Sequence, residues 1–249
     1  MKRRIIAVAN HKGGVGKTTS VANIGAALAL RGRKVLLVDL DAQQNLTFCL
    51  LGSDEVEVSV YDAFMGESPL PEVKIKENLY LSPSSIDLAR AELDLNARIA
   101  RESILKGLLT NLKEDYDYIL LDCPPSLGVI TYNALVAASD LYICLTAEGL
   151  PLKGLTMLEE VADQIKKNIN PDLRISGVFI TRYNNRNLND LVVEKISERY
   201  GDVAFRTKIR ENISLAESPL AGKDIYSYAP NSNGAIDYLA LTDEILSRE

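Results

Sequence analysis

Short runs of Val, Ile and Leu alternate along this chain with longer stretches whose apolar residues recur every three or four positions. The first pattern marks strands buried on both faces, and the second marks helices packed on one face. Their alternation predicts an α/β fold: a mostly parallel, twisted sheet with helices on both faces. Strands are expected at 4–9, 34–39, 78–82, 117–122, 140–146, 174–181 and 203–208. Helices are expected at 17–31, 86–112, 128–138, 152–168, 187–200 and 232–247. Between Gly52 and Glu77 the pattern lapses, and Pro69, Pro71 and scattered charges predict a surface excursion with one short helix around 60–64. No internal repeat or low-complexity tract interrupts the chain, and 1–249 is expected to fold as one domain.

The first strand runs directly into Lys12-Gly13-Gly14-Val15-Gly16-Lys17-Thr18-Thr19 and then into an Ala/Leu-rich helix that ends at Arg31-Gly32. This is the context of a phosphate-binding loop. Glycines let backbone N–H groups converge on phosphate oxygens, and the helix N-terminus adds its dipole. Lys17 supplies a positive charge, and the Thr18 hydroxyl is placed to coordinate Mg²⁺. The spacing departs from Gly-x-x-x-x-Gly-Lys-Thr at one position, where His11 takes the place of the first glycine. In exchange the loop has a second lysine, Lys12. Asp39 and Asp41 end a strongly apolar strand and Asp122 ends another, which is the sheet edge where ligands bind in open α/β folds. A turn or capping role is the alternative for Asp39 and Asp122.

Composition narrows the function classes. The chain has a net charge of -6, so it does not coat nucleic acid through its whole surface. Charge is unevenly spread, however: the segment from Arg174 to Arg210 is +4 and the remainder is -10. Three cysteines (Cys49, Cys123 and Cys144) and one histidine form no Cys-x-x-Cys pair and no His cluster, which argues against a structural zinc site or a disulfide framework. Buried, inert thiols are expected for Cys123 and Cys144. The apolar run after Met1 stops at Asn10, too early for a signal peptide. No stretch approaches the roughly 18 to 20 apolar residues that span a bilayer.

The loop, together with Val35-Leu36-Leu37-Val38-Asp39-Leu40-Asp41-Ala42-Gln43-Gln44-Asn45 and Tyr118-Ile119-Leu120-Leu121-Asp122-Cys123-Pro124-Pro125-Ser126, resembles the deviant Walker ATPases of the ParA/MinD family. The similarity is greatest to the ParA/Soj chromosome and plasmid partition ATPases, and it continues through Asn212-Ile213-Ser214-Leu215-Ala216-Glu217-Ser218-Pro219. The resemblance implies an ATPase with ATP and Mg²⁺ as cofactors. It implies that Asp41 aids the attacking water, that Asp39 supports the Mg²⁺ shell, and that Asp122 holds Mg²⁺ through water. Lys12 would reach across an ATP-dependent homodimer to the partner's phosphates, as an arginine finger does. Arg210, Glu211 and Asn212 occupy the place of a Pro-Arg-Asn-like turn that the family puts near the adenine; of these only Asn212 is retained, and it could instead cap the next helix.

The same resemblance implies non-specific DNA binding by the dimer, with Arg186 at a position where the family often has a DNA-contacting arginine. Ser214 departs from the family pattern at a second such position. A ParB-like protein would stimulate hydrolysis, and the expected location is the cytoplasm, in association with the nucleoid. The acidic stretch Leu241–Glu249 argues against the membrane-binding helix of the MinD branch. Two other functions fit the fold: an ATPase that positions a protein assembly, and a metabolic ATP-dependent ligase.

Overall fold

The computed structural model describes residues 3–147, 152–184 and 186–248. In chain order, β1 (Arg4–Ala9) leads to α1 (Lys17–Leu30), β2 (Val35–Asp39), α2 (Asn45–Leu51), α3 (Val60–Met65), β3 (Val73–Lys76) and β4 (Leu79–Ser82). After these come α4 (Ala91–Asp94), α5 (Ile104–Thr110), β5 (Tyr118–Asp122), α6 (Val129–Ala137) and β6 (Asp140–Thr146). The last part holds α7 (Leu152–Asn168), β7 (Arg174–Tyr183), α8 (Asn187–Tyr200), β8 (Ala204–Arg210), α9 (Ser214–Glu217), α10 (Ile225–Tyr228) and α11 (Asn233–Ser247). The eight strands form one sheet in the order β3-β4-β2-β5-β1-β6-β7-β8. Every pairing is parallel except that of β3 with β4.

Residues along the central strands alternate between two cores, one on each face, as the two-residue period of a strand requires. Ala7, Leu36, Val38, Ile119 and Leu121 face the layer that includes α3, α5, α6 and α7. Ile6, Val8, Val35, Leu37 and Leu120 face α1, α2 and α11. All of these are fully or almost fully buried, which explains why the strands read as unbroken apolar runs. Gly25 lets α1 lie directly on β2: a Cβ there would sit 2.5 Å from the Leu37 side chain.

Two expectations are corrected. The helix predicted over 86–112 is broken into a 3-10 turn at Ile86–Arg90, α4, a second 3-10 turn at Arg101–Ser103, and α5. The Asn133 side chain restarts the chain direction, accepting from Leu105 N–H (3.0 Å) and donating to the Arg101 carbonyl (2.8 Å). Arg98 ties the intervening loop to the carbonyls of Phe64 and Met65, and Leu93 and Ile99 are left exposed. The surface excursion contains the expected short helix, but its last part is the edge strand β3. Its lysines at alternate positions suit an exposed sheet edge.

Candidate nucleotide site

The ends of β1, β2, β5, β7 and β8 open on a cleft of about 900 Å³. Gly13, Gly14, Gly16, Lys17, Thr18 and Thr19 line one side, Asp41 lies beside them, and Arg210, Asn212 and Ile213 line the far end. Gly14 (φ 71°) and Gly16 (φ 88°) adopt left-handed backbone, which turns the chain sharply enough for α1 to begin at Lys17, directly after Gly16. Buried neighbours hold the loop in place. Asn10 accepts from Lys12 N–H (2.8 Å) and donates to the Cys144 carbonyl (2.6 Å). The Thr181 hydroxyl donates to the Val15 carbonyl (2.7 Å), and Ser20 donates to the Gly16 carbonyl (2.6 Å). Sequence motifs did not single out Asn10, Thr181 or Ser20, since single polar residues near strand ends or in the first turns of a helix have no local signature.

The two loop lysines are in opposite situations. Lys17 is 7% exposed and its ammonium donates to the Lys12 carbonyl at 3.3 Å. Lys12 is exposed, and among the described residues its side chain has no ion pair. His11 is exposed beside it.

The three carboxylates are not equivalent. Asp39 is fully buried and accepts three hydrogen bonds, from Thr47 O–H (2.7 Å), Thr47 N–H (2.9 Å) and Asp41 N–H (3.1 Å). Burial pushes its carboxyl up to about 6 despite these donors. Asp39 thus fastens α2 to β2 and orients the turn that presents Asp41, which is partly exposed at the cleft. Asp122 is fully buried, and neither of its oxygens has a hydrogen-bond partner. Burial, reinforced by the charge of Asp39, raises it well above the usual carboxylate range. The Thr18 hydroxyl and the Lys17 ammonium are near enough to oppose that shift, although Thr18 makes no well-formed hydrogen bond to it. A buried, unpartnered carboxylate beside Thr18 fits a hydrated divalent cation, whose waters would supply the missing donors. No group of three or more His, Cys, Asp or Glu that could hold a metal is found among the described residues. Such a cation would therefore depend on phosphate oxygens as well.

At the far end, Arg210 forms a fork with Asp237: Nε lies 3.1 and 3.0 Å from the two oxygens and Nη2 lies 2.6 Å from Oδ1. Asn212 accepts from Ser214 N–H at 2.9 Å, the local turn that was the alternative to base recognition. Arg186 is exposed immediately before α8. The basic segment around it is less bare than its composition suggested. Arg174 pairs with Asp140 (3.2 Å), Arg199 with Glu159, and Lys208 lies over the Tyr183 ring. Cys123 and Cys144 are buried thiols, as expected, and Cys49 is buried as well; burial pushes the thiols of Cys49 and Cys144 up to about 12.

A strand, a glycine-rich phosphate loop and carboxylates at the edge of a parallel sheet define the class of P-loop nucleotidases. A family profile described as an AAA domain matches residues 3–175. The chain is 43% identical over 248 residues to the sporulation initiation inhibitor protein Soj of Bacillus subtilis, covering 97% of this chain and 98% of that one. It is 41% identical to the chromosome-partitioning ATPase Soj of Treponema pallidum, with 96% of each chain covered. Among solved structures, a cobyrinic acid a,c-diamide synthase of Mycobacterium smegmatis with bound ATP analogue and magnesium is 39% identical. It superposes with a TM-score of 0.88 over 99% of this chain and 95% of that one. The septum site-determining protein MinD of Pyrococcus horikoshii, complexed with Mg-ADP, is 29% identical with a TM-score of 0.80, over 98% of this chain and 96% of that one. The chain belongs to the ParA/Soj family of partition ATPases. Among the described residues no helix is long and apolar enough to cross a membrane.

Proposed function

We propose that this protein is an ATP-driven partition switch that binds Mg-ATP in the cleft, pairs with a second copy around the nucleotide, and carries DNA on the paired form. The observation that supports it most is the contrast between the loop lysines. Lys17 is buried where it serves its own phosphates, while Lys12 is exposed at the same loop with no ion pair among the described residues. A second protomer's nucleotide would give Lys12 a target, and the cation would neutralise charge that develops on the phosphates during transfer. Thr18 and Asp122 hold Mg²⁺, the latter through water. Asp41 orients the attacking water, and Asp39 acts on both by fixing the turn. Asn212 faces the base end of the cleft, and Arg210 frames it through its pairing with Asp237.

Hydrolysis would separate the protomers, and a ParB-like partner would set its rate. DNA binding rests on Arg186, doubled in the pair, with Lys195 and Arg206 contributing phosphate contacts whose affinity falls steeply with salt. Such a protein resides in the cytoplasm on the nucleoid.

Asp41→Ala tests the switch. Size-exclusion with light scattering is expected to give a stable pair in Mg-ATP and a monomer in ADP, with turnover lowered by about a hundredfold. A monomer at saturating ATP would remove the water-positioning role. Arg186→Glu is expected to weaken duplex DNA binding by the ATP form and to flatten its salt slope by about one to two, one phosphate contact per protomer. Unchanged retention moves the DNA face elsewhere.

The synthase among the similar structures favours a second reading, in which ATP activates a carboxylate of a small molecule for amide formation. Turnover separates the two. Stimulation by DNA with a basic partner peptide supports the switch, and stimulation by a polycarboxylate acceptor supports the ligase. Stimulation by neither, but by a protein assembly, points to cargo positioning.

A further inference from the structure

Two arginines stand on the β7–β8 wall of the cleft, Arg182 and Arg210. The Arg210 guanidinium is occupied by Asp237. Arg182 is exposed to the cleft, and among the described residues its side chain has no ion pair or hydrogen bond. Its backbone is also unusual. At φ 51° it lies in the left-handed region, which disfavours any residue with a Cβ. The other three described non-glycine residues of positive φ, Gln44, Asn78 and Ala100, lie in turns or at helix starts, whereas Arg182 lies within a strand.

That conformation is held from both sides. Thr181 is fastened to the phosphate loop through the Val15 carbonyl, and its methyl group lies within 3.6 Å of where a Gly16 Cβ would be. Tyr183 is fastened by the Glu211 N–H donating to its carbonyl (2.9 Å) and by its own hydroxyl donating to Asp190 (2.6 Å). Backbone strain that the surroundings enforce at a ligand cleft is a mark of function.

Position indicates which part of the ligand Arg182 meets. Neighbouring strands lie about 4.8 Å apart, so the tips of β7 and β8 stand about 10 and 14 Å from β1 and its phosphate loop. A nucleotide whose phosphates occupy Gly13–Thr19 therefore extends its nucleoside towards β7 and β8. Two exposed aliphatic side chains, Ile213 and Leu220, line the same cleft, at 71% and 79% exposure.

We propose that Arg182 lays its guanidinium over the face of the purine base, with Ile213 and Leu220 on the other face. The proposal rests on the reading of the cleft as a nucleotide site. A guanidinium is planar, weakly hydrated and attracted to a π face, and an ammonium cannot replace its plane. Arg182 is a base-positioning residue that the strained strand end holds in place.

Calorimetric titration with Mg-ADP and with Mg-pyrophosphate, on the parent protein and three variants, tests this. Arg182→Met keeps the stem and the strain, and Arg182→Gly removes both. Each is expected to bind Mg-ADP about tenfold more weakly and Mg-pyrophosphate as the parent does. Arg182→Lys is expected not to restore the loss. Arg182→Gly alone is expected to raise the melting temperature of the nucleotide-free protein, because glycine accepts positive φ. Equal losses for both ligands, full recovery with lysine, or unchanged Mg-ADP binding in the Met variant each overturn the assignment. A parent protein that binds neither ligand overturns the nucleotide reading itself, which separates that failure from this one.

Discussion

Lys17→Ala is expected to abolish measurable Mg-ATP binding while leaving the fold intact. The side chain is almost fully buried against the loop, and among the described residues its ammonium has one hydrogen bond, to the Lys12 carbonyl, and no salt bridge, so the charge is directed at a ligand. Charge-assisted contacts to phosphate are about twice as strong as neutral ones, and in a partly dry cleft they strengthen further. Losing this one should weaken Mg-ATP by about a thousandfold, or about 4 kcal/mol. The fold should tolerate the change, because no carboxylate depends on Lys17 for a salt bridge among the described residues. Thermal melting without nucleotide should stay close to the parent value, and nucleotide should no longer shift it. Retained Mg-ATP affinity in a well-folded variant would sink the phosphate-loop assignment.

Asp122→Asn is expected to move stability and activity in opposite directions. A buried carboxylate with no hydrogen-bond partner is expensive, and it faces Asp39 in the same low-dielectric region. Replacing it by a neutral isostere should stabilise the nucleotide-free protein by about 1 to 3 kcal/mol near pH 7. The same change removes the anion that holds hydrated Mg²⁺, and Mg-dependent turnover should fall by about a thousandfold.

The pH dependence follows from the direction of the shifts. Asp39 is raised to about 6 and Asp122 is raised well above its ordinary value. Above about pH 4 the folded, metal-free protein therefore holds more protons than the unfolded chain, and stability falls as pH rises through these values. The ion-paired carboxylates Asp140, Asp243 and Glu244 are held below their ordinary values, so their contributions are lost only at lower pH. Between pH 5 and 8 the nucleotide-free protein should melt at higher temperature on the acid side, and Asp122→Asn should flatten that slope. A parent melting temperature that climbs with pH over this range would contradict the assignment.

Both residues were legible in the sequence because their surroundings are local. Lys17 follows a strand and three glycines and begins a helix, so one stretch of chain builds its whole environment. Asp122 ends an apolar run that could only be a covered strand. The role of Asp39 was less legible. Its three hydrogen bonds come from its own turn and from Thr47 in α2, a helix the pattern did not predict. Arg210 appeared from its place in a motif to face the base, but Asp237 in α11 occupies it from 27 residues away. The break in the helix expected over 86–112 depends likewise on Asn133 in a different helix.

By itself, the sequence determined the parallel covered sheet, the phosphate loop and the family. Each rests on periodicity or on contiguous residues whose chemistry does not depend on distant partners. Only the tertiary structure decided which charges remain available to a ligand. Asp39 is occupied by Asp41 and Thr47 and Arg210 by Asp237, whereas among the described residues Lys12, Arg182 and the oxygens of Asp122 have no such partner. The reason is physical: a charged side chain is directed by the partner that reaches it, and the helices that return to cover a parallel sheet bring such partners, Thr47 for Asp39 and Asp237 for Arg210, from outside the motif that holds the charge.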